Sequence, residues 1–175
     1  MRFDSLHDVF ADQIADLYSA ERQLVEALPK VESAASSPEL REAVSTHLQE
    51  TREHVRRLEQ ILSDTGLSAP AAEECEGMKG LLEEGEEIIG AQGDPAAKDA
   101  ALIAAAQRVE HYEMAGYGTA KTLAKELGLS DAESLLDETL GEEMKADKLL
   151  TKIATGGMLG SGVNEDAAET RAASR

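Results

Sequence analysis

The run Arg108-Val-Glu-His-Tyr-Glu-Met-Ala-Gly-Tyr-Gly-Thr-Ala120 sets Glu110 and Glu113 three residues apart in an apolar frame. Around them, Ile103, Ala106, Tyr117, Ala120, Ala124 and Leu127 recur at helical spacing, the stripe of an amphipathic helix. The two glutamates fill slots of that stripe. An ionised carboxylate on an apolar face is costly unless it is paired or bound to a metal. The same anomaly recurs in three other segments. Glu21 stands between Leu17 and Leu24. His47 and Thr51 lie in the stripe Leu40, Val44, Leu48, Val55, Leu58, Leu62, with Glu50 and His54 on its flank. Glu143 and Asp147 lie between Leu140 and Leu150. Carboxylates with an imidazole suit iron or manganese, and two such ions would neutralise most of the charge. Glutamate can bridge two metals, with histidine as a terminal ligand.

These groups need helices to carry them. The apolar periodicity predicts long helices over residues 6–33, 39–64, 95–127 and 131–155. Ser5 with Asp8 and Ser130 with Glu133 have the spacing of N-terminal caps. Pro38 suits a first helical turn, and Gly66 and Gly128 suit helix ends. Pro29 falls late in the first helix and should kink it. Residues 66–94 form a connection too long for a tight turn. Cys75, Met78, Leu82, Gly85 and Ile89 predict a short helix within it. The expectation is an all-α four-helix bundle over residues 1–155, with a long crossover carrying a short extra helix. Residues 156–175, rich in Gly, Ala and Ser, are expected to form a flexible tail. The midpoints of the long helices fall at about residues 20, 51, 111 and 143. In an antiparallel bundle midpoints share one level, so the misplaced acids should converge in one small volume.

Composition narrows the partners. The chain has 175 residues with 35 acidic against 17 basic, a formal net charge of -18. That balance argues against binding nucleic-acid backbones or anionic membranes. The single Cys75 excludes an intramolecular disulfide and fits a reducing compartment. No stretch approaches a membrane span, and the N-terminal residues do not resemble a signal peptide, so a cytoplasmic location is expected.

Simpler readings compete at each position. A lone glutamate in a stripe can reach the surface, and a carboxylate cluster can share protons without a metal. His47 can be a core histidine bonded to a neighbour. His54 is the weaker ligand of its helix, since His47 and Glu50 already serve it. His111 and Glu53 point away from their stripes, His7 carries no signal, and Cys75 reads as a buried structural thiol. Tyr18 and Tyr117 lie one turn from Glu21 and Glu113; each could bond a ligating carboxylate, and packing is the expected role of either alone.

Leu17-Tyr-Ser-Ala-Glu-Arg-Gln-Leu24, Ala27-Leu-Pro-Lys30, Ser37-Pro-Glu-Leu40, His47-Leu-Gln-Glu-Thr51 and Asp99-Ala-Ala-Leu-Ile-Ala-Ala-Ala-Gln-Arg-Val-Glu-His-Tyr-Glu113 closely resemble the YciE/YciF-type ferritin-like stress proteins of bacteria. The similarity runs from about residue 5 to about residue 155. The resemblance implies a rubrerythrin-like four-helix bundle, a homodimer and a dinuclear iron or manganese site. The positions carried over are Glu21, His47, Glu50, Glu110, Glu113, Glu143 and Asp147. Ferritin-like proteins usually carry Glu-x-x-His on the second and fourth long helices. Here the second reads His47-x-x-Glu50, with Glu50-x-x-x-His54 alongside, and the fourth reads Glu143-x-x-x-Asp147 without a histidine. Two functions follow as expectations. One is a stress-response protein whose dinuclear site acts on peroxide or O2. The other is a catalytically inactive binding or scaffolding bundle with a structural or vestigial metal site. Iron storage in a cage is disfavoured, because a dimer encloses no cavity.

Overall fold

The computed structural model describes residues 2–67, 74–156 and 161–173, and every element in them is helical. In chain order these are α1 (Leu6–Ala34), α2 (Pro38–Thr65), α3 (Glu76–Gly90), α4 (Pro95–Glu126), α5 (Ser130–Thr155) and α6 (Val163–Ala173). The four long helices form the bundle, and α3 rides in the crossover, packed on α1 and α4. Among the described residues no helix is long and apolar enough to cross a membrane.

Local chemistry sets most helix ends. The Ser5 hydroxyl accepts the Asp8 amide at 3.3 Å and the Asp8 carboxylate accepts the Ser5 amide at 2.8 Å, a reciprocal capping box. Ser37 and Asp94 cap α2 and α4, each followed by proline in the first turn. Gly66 ends α2 in the left-handed region, at φ 67. The cap expected at Ser130 does not form. The connection after α4 is so tight that Ser130 is already helical and Leu129 stands at the cap without a side-chain bond. Its neighbour Gly128 takes φ 71, and the Leu129 amide bonds back to the Ala124 carbonyl. α1 continues through Pro29 to Ala34.

Neighbouring helices run antiparallel. Leu17 meets Gly116, where an added Cβ would lie 2.8 Å from Leu17 Cδ2, while the chain just past α1 meets the start of α4. There the buried Asp99 carboxylate accepts the Ser36 amide at 2.9 Å and the Ser37 amide at 2.6 Å, tying the α1–α2 turn to α4. On the other side His54 faces Glu142 while Arg57 faces Glu138 and Thr139.

Cys75 anchors the crossover. Its amide donates to Ser19 Oγ at 2.8 Å, and its sulfur lies 2.9 Å from the Tyr112 hydroxyl, which donates to Asp16 at 2.7 Å. Gly77 leaves room for that ring, since a Cβ there would sit 2.8 Å from Tyr112 Cε2. Burial pushes the Cys75 thiol pKa up, which keeps it a packed thiol.

The expected tail holds a helix instead. α6 packs on α4 and α5, and Val163 joins the apolar core. Gly162 makes the return possible: a Cβ there would fall 2.2 Å from the Gly156 backbone nitrogen. The polar, small-residue composition hid this, because a single buried valine and a close backbone contact leave no periodic signal.

The interior divides into two apolar clusters. One gathers Leu24, Leu28, Leu40, Val44, Leu102, Ile103 and Leu150 towards the α1–α2 turn. The other gathers Phe10, Ile14, Leu17, Leu58, Ile61, Tyr117 and Leu136 towards the opposite end. Between them lies a layer that is not apolar.

Candidate metal centre

That layer is built from one level of each long helix. Glu21 comes from α1, His47 and His54 from α2, Glu110 and Glu113 from α4, and Glu143 from α5. Glu21, His54, Glu113 and Glu143 have no exposed surface; Glu110 is 3% and His47 7% exposed. Two sets of ligand atoms converge, each within 4.8 Å of one another. His47, Glu110, Glu113 and Glu143 form one set, and Glu21, His54 and Glu143 form the other. Glu143 belongs to both.

The spacings bring the ionisable groups within ion-pair reach of one another. His54 Nδ1 lies 3.2 Å from Glu21 Oε1 and 3.0 Å from Glu143 Oε1, and His47 Nε2 lies 3.5 Å from Glu110 Oε1. Yet both His Nδ1 atoms, both oxygens of Glu113 and Glu143, and one oxygen each of Glu21 and Glu110 lack a hydrogen-bond partner. Each orphaned buried polar atom costs about 1–3 kcal/mol, more when charged. Four carboxylates and two imidazoles arranged so could hold a metal ion.

Electrostatics point the same way. Burial pushes Glu110 and Glu113 well above the carboxylate range, and neighbouring carboxylates add to the shift. Glu21 is raised by burial, against the pull of His54. Burial opposes the charged histidines, but their partners prevail. Glu50 and Glu110 lift His47 to about 9, and Glu143 and Glu21 lift His54 to about 10. Glu143 goes down, because the two imidazoles outweigh its burial. Without a cation the layer must therefore retain protons, and a metal ion would take their place.

The outer groups differ on the two sides. Tyr117 donates its hydroxyl to Glu21 Oε1. His54 Nε2 lies 2.9 Å from Glu142 Oε2, and Arg57 reaches Glu142, Glu138 and Thr139. Those bonds aim the other imidazole nitrogen at Glu21 and Glu143. On the His47 side, Glu50 stands at the rim with a side chain 37% exposed, 3.7 Å from His47 Nδ1.

Of the residues expected at the site, Glu21, His47, Glu110, Glu113 and Glu143 come together. Glu50 touches only His47 from outside. Asp147 accepts Gln107 Nε2 at 2.9 Å and lies 3.4 Å from His111 at the surface, apart from both sets. His54, ranked behind His47 and Glu50, is wholly buried in the centre. The signal was available: His47, Thr51, His54 and Leu58 share one helical face, and all are buried, whereas Val55 is only half-buried. Glu142 and Arg57 left no trace in the pattern, being ordinary surface charges by sequence. Tyr18 bonds Glu59 at 3.0 Å, away from the layer.

Residues 5–168 match the family described as domain of unknown function (DUF892). The chain belongs to that family. Protein YciF of Escherichia coli K12 is 44% identical over 154 residues, covering 88% of this chain and 93% of that protein. The crystal structure of this E. coli stress protein superposes with a TM-score of 0.83 over 86% of this chain and 94% of its own. YcfI of Rhodopseudomonas palustris is 36% identical, with a TM-score of 0.82 over 86% of this chain and 96% of its own. A protein of Xanthomonas campestris, 15% identical, shares the fold with a TM-score of 0.72 over 97% of this chain and 99% of its own. The resemblance expected from the sequence and the all-helical bundle are thus shown. DUF892 members of this kind include a stress protein, and among the described residues the buried His and Glu layer could hold a metal ion.

Proposed function

We propose that this chain is a dinuclear metal protein of the stress response, binding two iron or manganese ions and acting on peroxide or O2. The observation that carries the reading is the membership of Glu143 in both ligand sets. His47, Glu110 and Glu113 would hold one ion, Glu21 and His54 the other, with Glu143 shared. Four carboxylates balance two divalent ions in charge, which answers the cost of burying them. When bound, the pair would supply redox and Lewis-acid chemistry. The chain's part is to exclude water with its apolar clusters, to fix Glu21 through Tyr117, and to orient His54 through Glu142 and Arg57. The test is elemental analysis of protein purified without added metal, followed by Fe(II) or Mn(II) titration and a peroxide and O2 consumption assay. About two ions per chain with turnover support the reading. Failure to bind either metal stoichiometrically overturns it.

One observation favours a second reading, a centre that is structural. The layer joins all four long helices, so filling it would tie the bundle together. Stoichiometric metal that raises Tm markedly, with no consumption of peroxide or O2, selects that reading.

A further inference from the structure

The two sides of the layer are packed unequally. Towards the α1–α2 turn the bundle contains a cavity of about 150 Å³. Leu24, Leu28, Leu102 and Leu150 wall it, Leu82 of α3 borders it, and His47 and Glu110 form its polar end. Small residues leave the space: Ala27 on α1, Ala43 on α2, and Ala105 and Ala106 on α4 all line it. Exposed Lys145 and half-exposed Glu50 also border it, which gives a way in from solvent between α2 and α5.

We propose that this cavity binds a small apolar organic molecule and presents it to the His47–Glu110 side of the centre. A space of this size walled by leucine-like side chains has room for a benzene-sized guest. Water would find polar partners only at the His47–Glu110 end and at the rim, where Thr46, Glu50 and Lys145 stand; the leucine and alanine walls offer none. The ligand is therefore apolar over most of its surface, with room for one polar group at the end where Glu110 Oε2 and His47 Nδ1 lack partners. Presentation to a metal rests on the reading above; occupancy of the cavity does not.

Fluorobenzene is the probe, followed by 19F NMR on the full chain, metal-free and after Mn(II) addition. Saturable binding is expected in both forms. Ala106→Leu fills the cavity and should weaken binding at least about tenfold, while Leu102→Ala enlarges it and should shift preference towards a larger guest such as 4-fluorotoluene. Circular dichroism checks that each variant is folded. Absence of saturation, or binding indifferent to both variants, marks an adventitious additive only and overturns the proposal. Bound Mn(II) should broaden the bound 19F signal strongly. Saturable, variant-sensitive binding without stoichiometric Mn(II) upholds the cavity and defeats the metal reading. Stoichiometric Mn(II) without fluorobenzene binding does the reverse. Stoichiometric Mn(II) with unbroadened, saturable binding defeats presentation to the centre.

Discussion

The two halves of the bundle, divided by the carboxylate layer, share the four long helices, with α3 and α6 adding Met78 and Val163 to one of them, and differ in how they end against it. Towards the α4–α5 connection, Phe10, Ile14, Leu17 and Tyr117 are almost wholly buried, and the two aromatic rings fill the space. Tyr117, Glu142 and Arg57 then hold Glu21 and His54 in place. Towards the α1–α2 turn Tyr112 packs only partly buried on the cluster, alanines and leucines leave a cavity, and His47 and Glu110 form its polar end. A pair of rings thus separates a half that fixes the centre from a half that admits a guest. Side-chain volume decides this, because interiors pack so closely that missing bulk remains as a void.

The largest expected effect comes from the group common to both ligand sets. Glu143→Ala should abolish stoichiometric metal binding; if the variant still titrates with the wild-type number of ions, the shared-ligand picture breaks. Next is the orientation of His54. Glu142→Gln should lower metal affinity about tenfold to a hundredfold, seen by competition with a chelator, and an unchanged affinity would remove the distinction between the fixed and open sides. Tyr117→Phe leaves the second buried Glu21 oxygen without a hydrogen-bond partner as well and should cost about 1–3 kcal/mol in urea unfolding, while fluorobenzene binding in the other half stays as in wild type.

The metal-free protein should also lose stability on going alkaline. Glu21, Glu110 and Glu113 are raised above 4.5, and His47 and His54 are raised from 6.5 to about 9 and about 10. Groups raised by folding stabilise fully below their unfolded values and lose that contribution as pH rises through the folded ones. Glu143 has the opposite sign, stabilising above its unfolded value and losing that contribution as pH falls through its lowered folded one. The urea midpoint should therefore decline towards pH 10, and metal loading should flatten the decline. A midpoint that climbs over that range would contradict the proton-holding layer. The smallest effect tests the boundary of the site. Asp147→Asn should leave metal affinity within about twofold of wild type, since Asp147 bonds Gln107 and His111 and reaches the layer only through its charge acting on Glu110.

Much of this was readable before any packing was known. Glu21, Glu110, Glu113 and Glu143 broke apolar stripes, and their agreement in depth followed from helix lengths alone. His54 ranks below His47 and Glu50 in sequence because spacing does not say which polar groups of one helix enter the layer, and a buried polar layer has no apolar signal at that level. Asp147 was overvalued for the converse reason: it continues the Glu143 face in sequence, but one turn on, Gln107 and His111 meet it at the surface. α6 escaped because one buried valine does not make a stripe.

What the sequence by itself determined is local and periodic: where the long helices lie, most of their caps, the family, and four carboxylates at one depth. These depend on spacing and backbone chemistry within a few turns. What only the tertiary structure decided is the sidedness of the centre. The inward turn of His54, the Glu142–Arg57 support behind it, the sharing of Glu143 and the cavity beside His47 all arise from side chains meeting across helices far apart in sequence. Those meetings depend on the summed volumes of the residues between them, which the spacing along one helix does not encode.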